Sequence, residues 1–202
     1  MSEENILPQE KFAGLSFIES FLGTLIAPSQ TFKALAQDCK TETAHLPAAL
    51  AIVVLVFAAD ALRLTPANGI GWAAVNIPTE VSGGILLWLL SASTVSLTAL
   101  CFGIESSKAR AAFVTLAWSL LPWIFMGPLS CFWKLLGPAH VLLMAIPLCW
   151  ILLLQIIAIK ESFQLKVWQT LVLVFIIPPM LSSFQLFQFL QALTATLGSL
   201  LS

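Results

Sequence analysis

Residues 111–159 read AAFVTLAWSLLPWIFMGPLSCFWKLLGPAHVLLMAIPLCWILLLQIIAI, with Lys134 as the one charged residue. At ~1.5 Å of rise per residue, one helix over this stretch exceeds twice the ~30 Å hydrocarbon thickness of a bilayer. The Gly137-Pro138 step supplies the break, because glycine tolerates unusual dihedrals and proline cannot continue the hydrogen-bond ladder. The stretch therefore reads as two antiparallel neighbours joined by a tight turn, Ala111–Leu136 and Val141–Ile159. Helix is the required secondary structure. Backbone groups in lipid need partners within their own segment, and these runs lack the alternation of a barrel strand.

Working outward, three more stretches are long and apolar enough to cross: Leu46–Leu64, Val81–Phe102 and Val167–Leu190. The fold class expected is all-α, a polytopic transmembrane bundle of five spans over 46–202, preceded by an N-terminal segment over 1–45. Composition agrees. The chain has 202 residues, 59% hydrophobic and 9% charged, where a soluble domain carries about a quarter charged residues. With a mean hydropathy of +0.96, lipid must be the solvent for most of it. A net charge of −1 gives no reason to expect a nucleic acid partner.

Alternate sides of the spans carry unequal basic charge. Lys11, Lys33, Lys40, Lys108, Arg110, Lys160 and Lys166 share one side, against Arg63 and Lys134 on the other. The positive-inside rule then expects a cytoplasmic N-terminus and an outside C-terminus. The opening residues, with Glu3 and Glu4, do not resemble a cleavable leader, so insertion is expected to rely on the spans. Trp72, Trp133 and Trp168 fall near span ends, as interfacial rings do; Trp88, Trp118, Trp123 and Trp150 lie deeper and are expected between helices.

Before the first span, Phe12, Leu15, Ile18, Leu22 and Leu25 recur at spacings of three and four, widened by Phe17 and Phe21. Lys11, Glu19, Ser20 and Thr24 occupy other faces. The pattern predicts an amphipathic helix in the cytoplasmic interface, stopped near Pro28, and a shorter helix over Thr31–Gln37. Packing of the same stripe on the cytoplasmic ends of the bundle is a compatible alternative.

Candidate chemistry is sparse. Asp60 and Arg63 lie three apart, on one face of the first span. They read as an ion pair that offsets its own burial. A proton or ion relay is the alternative, though no third ionisable group at matching depth extends it. His45 and His140 are far apart, and Cys39, Cys101, Cys131 and Cys149 show no ligand spacing, so no metal or cofactor is expected. Gln155 and the series Ser91, Ser93, Thr94, Ser96 and Thr98 are neutral polar groups suited to close packing and interhelical hydrogen bonds, or to lining a cavity. Nucleophile elbows, zinc-protease helices and phosphate-cradling loops are all missing, so no enzyme is expected. Prolines 122, 128, 147, 178 and 179 should kink the last three spans.

The order of features resembles the Yip/Yif family, five-span partners of Ypt/Rab GTPases, and its bacterial branch in particular. Pro28-Ser29-Gln30-Thr31-Phe32 is similar to that branch's P-x-x-T-F segment. Phe102-Gly103 followed by Glu105-Ser106-Ser107-Lys108 resembles its Gly/Ser/Lys loop, and Pro122 and Trp150 continue the match. The resemblance implies five helices, a cytoplasmic N-terminus, a bacterial inner membrane and, in eukaryotic members, vesicle trafficking through small GTPases. The tyrosine-containing motif of those members is absent, and the chain has no tyrosine at all, which argues against a GTPase partner. The functional expectation is a non-enzymatic scaffold or adaptor, contacting the lipid bilayer and an unidentified membrane or cytoplasmic protein. The alternative is a small transporter or channel subunit built on proline-broken helices.

Overall fold

The computed structural model describes residues 16–39, 45–63, 65–105, 108–130, 132–137 and 140–176. All regular structure among them is helical: α1 (Phe17–Ile26), α2 (Pro28–Asp38), α3 (His45–Arg63), α4 (Thr65–Cys101), α5 (Ala109–Trp118), a 3₁₀ turn (Leu121–Phe125), α6 (Met126–Ser130), α7 (Trp133–Leu136), α8 (His140–Phe163) and α9 (Val167–Ile176). Among the described residues, four stretches are long and apolar enough to span a bilayer: His45–Leu62, Ala74–Cys101, Ala109–Ser130 and His140–Phe163. The expected fifth span begins with α9. Its second half, including Pro178-Pro179, lies outside the described residues, as do Phe12 and Leu15.

The second span starts much earlier than its apolar run. Phe57 of α3 presses on Gly84 of α4 so closely that a Cβ at position 84 would collide with the ring. In an antiparallel pair that contact sets Arg63, the end of α3, level with Pro78. Only one residue links α3 to Thr65, whereas a straight helix from Thr65 to Pro78 would be ~20 Å long. Pro78 stands inside α4 at that level, where its missing N–H permits a bend.

The third span is not one helix to Leu136. α5 stops at Trp118, four residues before Pro122, whose ring would crowd the Trp118 carbonyl. A turn at Ser119-Leu120 leads into the 3₁₀ segment, then into the short helices α6 and α7. At the break the Ser119 hydroxyl donates to the Leu116 carbonyl at 2.6 Å, which satisfies one carbonyl that the helix no longer uses. Gly137, at φ +51°, ends α7 in the left-handed conformation, which bears out the break expected there. By contrast α8 continues through Pro147 and four residues past Ile159.

The bundle buries its largest side chains where α2, α3, α5 and α8 meet. Phe32, Leu35, Ile52, Val56, Trp118, Leu121 and Leu154 form one continuous cluster. A second cluster joins Val95 and Ala99 of α4, Leu116 of α5, Ile159 and Phe163 of α8, and Leu173 of α9. Outside, large apolar side chains such as Leu86 and Leu97 of α4 and Leu142 and Leu153 of α8 are exposed. That inverted arrangement suits lipid as the surrounding medium.

Candidate interaction surface at the basic end

The second cluster brings the end of α4, the start of α5, the end of α8 and the start of α9 to one end of the bundle. Lys108, Arg110, Lys160 and Lys166 gather there, as do Glu105 and Glu161. Two left-handed residues shape this end. Gly103 sits at φ +75°, with its N–H bonded to the Leu100 carbonyl at 2.9 Å and the Ile104 N–H bonded to Ala99 at 3.2 Å. That pair of bonds is a Schellman ending, which explains why glycine stands at this position. Gln164, at φ 56°, closes α8 the same way, with the Leu165 N–H on the Lys160 carbonyl at 3.2 Å.

α1 and α2 fold onto the bundle from this end. Ser16 and Glu19 form a reciprocal capping box that starts α1. The Ser16 N–H and then its hydroxyl hold the Glu19 carboxyl below its ordinary value. Pro28 opens α2 in the first turn, where no N–H is needed. Thr31 Oγ1 donates to the Ala27 carbonyl at 3.1 Å, and Phe32 is fully buried. Ser29 Oγ donates to Glu161 Oε1 at 3.1 Å and ties α2 to the end of α8. The proline, threonine and phenylalanine singled out in the sequence are thus a helix start, a carbonyl cap and a core anchor.

α1 leans along the flank of the bundle. Its Phe17 ring lies 5.3 Å from that of Trp118, well inside the third span, and Phe21 and Leu25 pack on the core. The apolar stripe therefore divides. Ile18, Leu22 and Ile26 point outward, with Ile18 69% and Ile26 80% exposed, while the small polar Ser20 and Thr24 are buried. The Thr24 hydroxyl donates to the Ser20 carbonyl at 2.7 Å, so its burial leaves no lost bond.

Other sequence candidates are placed as follows. Asp60 is half-buried on α3; the Arg63 side chain, and with it the expected pair, lies outside the described residues. Ser91, Ser96 and Thr98 each donate to a carbonyl four residues back in α4, at 2.6–2.7 Å, rather than across helices. A buried hydroxyl–hydroxyl bond joins Thr115 of α5 to Ser162 of α8 at 2.7 Å. No periodicity marked that pair, because single hydroxyls in apolar runs show nothing of what they face. Trp88, Trp118 and Trp123 are buried between helices, Trp150 is half-buried and Trp168 is exposed. Among the described residues, no group of three or more His, Cys, Asp or Glu side chains gathers as metal ligands.

A family model described as the Yip1 domain matches residues 22–189. No curated protein and no solved structure matches the chain. The matched range runs from the middle of α1 past the end of α9, across every described span, and takes in the Pro28–Phe32 segment, Gly103, Pro122 and Trp150. The chain belongs to the Yip1-domain family of multi-pass membrane proteins.

Proposed function

We propose that this protein is a non-enzymatic membrane scaffold or adaptor, held in a bacterial inner membrane with its N-terminus in the cytoplasm and its C-terminus outside. The observation that carries the reading is the outward stripe Ile18, Leu22 and Ile26 on a helix fastened to the bundle by its opposite face. Such a stripe, lying along the flank of the spans, suits an apolar partner within the bilayer plane. Lys108, Arg110, Lys160 and Lys166 at the same end favour the cytoplasmic side for it. No Rab-type GTPase is part of the reading.

The broken third span would suit a transporter, but its break is packed: Leu120, Leu121, Pro122 and Trp123 are all buried. The α4 hydroxyls bonded to their own helix likewise favour packing over a polar path. The test places a photo-crosslinking residue at Leu22 in native membranes. A discrete protein adduct that disappears in Ile18→Asp is the expected result. Protein-dependent ion flux in proteoliposomes, with no adduct at Leu22, would reverse the assignment.

A further inference from the structure

An apolar cleft of about 670 Å³ opens on the flank of the bundle between α3, α4 and α5. Leu46, Leu50 and Leu89 form its sides, Trp88 and Phe113 its floor, and Arg110 stands at the end nearest the basic end. The floor is fixed: the Trp88 Nε1–H donates to the Phe113 carbonyl at 2.9 Å, and the two rings meet edge to face at 5.9 Å. The sides are open, since Leu46, Leu50 and Leu89 are each about two-fifths exposed (42%, 41% and 40%).

We infer that this cleft holds one anionic phospholipid, with an acyl chain along Trp88 and Phe113 and its phosphate on the Arg110 guanidinium. The volume lies within the ~300–1,000 Å³ range of small-molecule sites. An apolar wall alone does not select a lipid, because lipid tails are as apolar as the leucines that line it. Selection must come from the headgroup. Arg110 is the second residue of α5, level with the basic end, where a phosphate lies in a bilayer. Its planar fork matches phosphate oxygens bidentately. A zwitterionic lipid brings its own cation to the same place, so an anionic headgroup is preferred.

The test uses the full chain in mild detergent, with dioleoyl phosphatidylglycerol and dioleoyl phosphatidylcholine titrated separately and bound lipid counted by native mass spectrometry. Wild type should bind the phosphatidylglycerol about fivefold more tightly, the effect of one basic residue near a membrane surface. Arg110→Gln should bring that lipid down to the phosphatidylcholine level, Arg110→Lys should restore part of the preference, and Lys108→Gln should leave it intact. Leu50→Trp, which fills the cleft from its open side, should exclude both lipids and provides an arm independent of Arg110. Equal binding of the two lipids, an Arg110→Gln profile like wild type, or full competition by soluble glycerol phosphate would overturn the assignment.

Discussion

Gly23 of α1 lies against Thr31 of α2 so closely that a Cβ on residue 23 would overlap the threonine hydroxyl oxygen. The chain turns at Ala27, and the Thr31 side chain of α2 packs on the bare backbone of Gly23 in α1. A glycine within a helix costs helix propensity, and here it permits the hairpin that presents Ile18 and Leu22 outward.

Gly23→Ala should therefore separate α1 from α2, at about 1–3 kcal/mol, the usual range for overpacking. Thermal unfolding in detergent and protease access to the segment before Phe17 would both report it. Adding Thr31→Ala should recover most of the loss, because it removes the colliding oxygen. A double variant no better than the single one would place the strain elsewhere.

Gly103→Ala and Gly83→Ala should move stability in opposite directions. Neither glycine would press a new Cβ on a neighbour, but Gly103 holds φ +75° and Gly83 is an ordinary helical residue. The first change should cost about 1–2 kcal/mol for a left-handed alanine. The second should add up to about 1 kcal/mol of helix propensity. Equal shifts for the two, measured side by side by denaturation in the same micelle, would contradict the Schellman ending of α4.

The Thr115–Ser162 bond is the buried polar link between α5 and α8 and lends itself to a double-mutant cycle. Thr115→Val, Ser162→Ala and the double variant should give a coupling of about 0.6 kcal/mol and no more than about 1.7, as for hydroxyl pairs between membrane helices. A coupling near zero would mean that the hydroxyls serve packing alone.

Cys39, at the end of α2, titrates outside the spans. Burial, and then the neighbouring Asp38 carboxylate, push its thiol up to about 11 from an ordinary 9.0, against a smaller opposing pull from Arg110. The folded state favours the neutral thiol, so this contribution is complete below pH 9, falls as pH rises from 9 to about 11, and is exhausted above that. Subtracting the pH–stability curve of Cys39→Ala isolates it from the lysines. A difference curve that stays flat between pH 8 and 11 would refute the shift.

Membrane residence and the helical class were legible in the sequence, because each is set by local quantities. Hydrophobic length must match the bilayer, and backbone bonds in lipid must close within the segment. The Gly137-Pro138 break could be read for the same reason, as a backbone requirement of its own turn, whereas Pro28, Thr31, Phe32 and Gly103 stood out through the family resemblance. Tertiary structure alone decided the rest. The apolar stripe of α1 could equally have faced lipid or protein, and only the Gly23–Thr31 approach and the Phe17–Trp118 contact show that Phe21 and Leu25 face inward while Ile18 and Leu22 face out. Likewise the third span's apolar run could not reveal how far the helix goes before Pro122 ends it, nor that Thr115 meets Ser162. In lipid, hydropathy fixes which residues cross but exerts no preference between neighbours. Close approach of small residues, single hydrogen bonds and shape complementarity choose the partners, and those exist only once the helices have met.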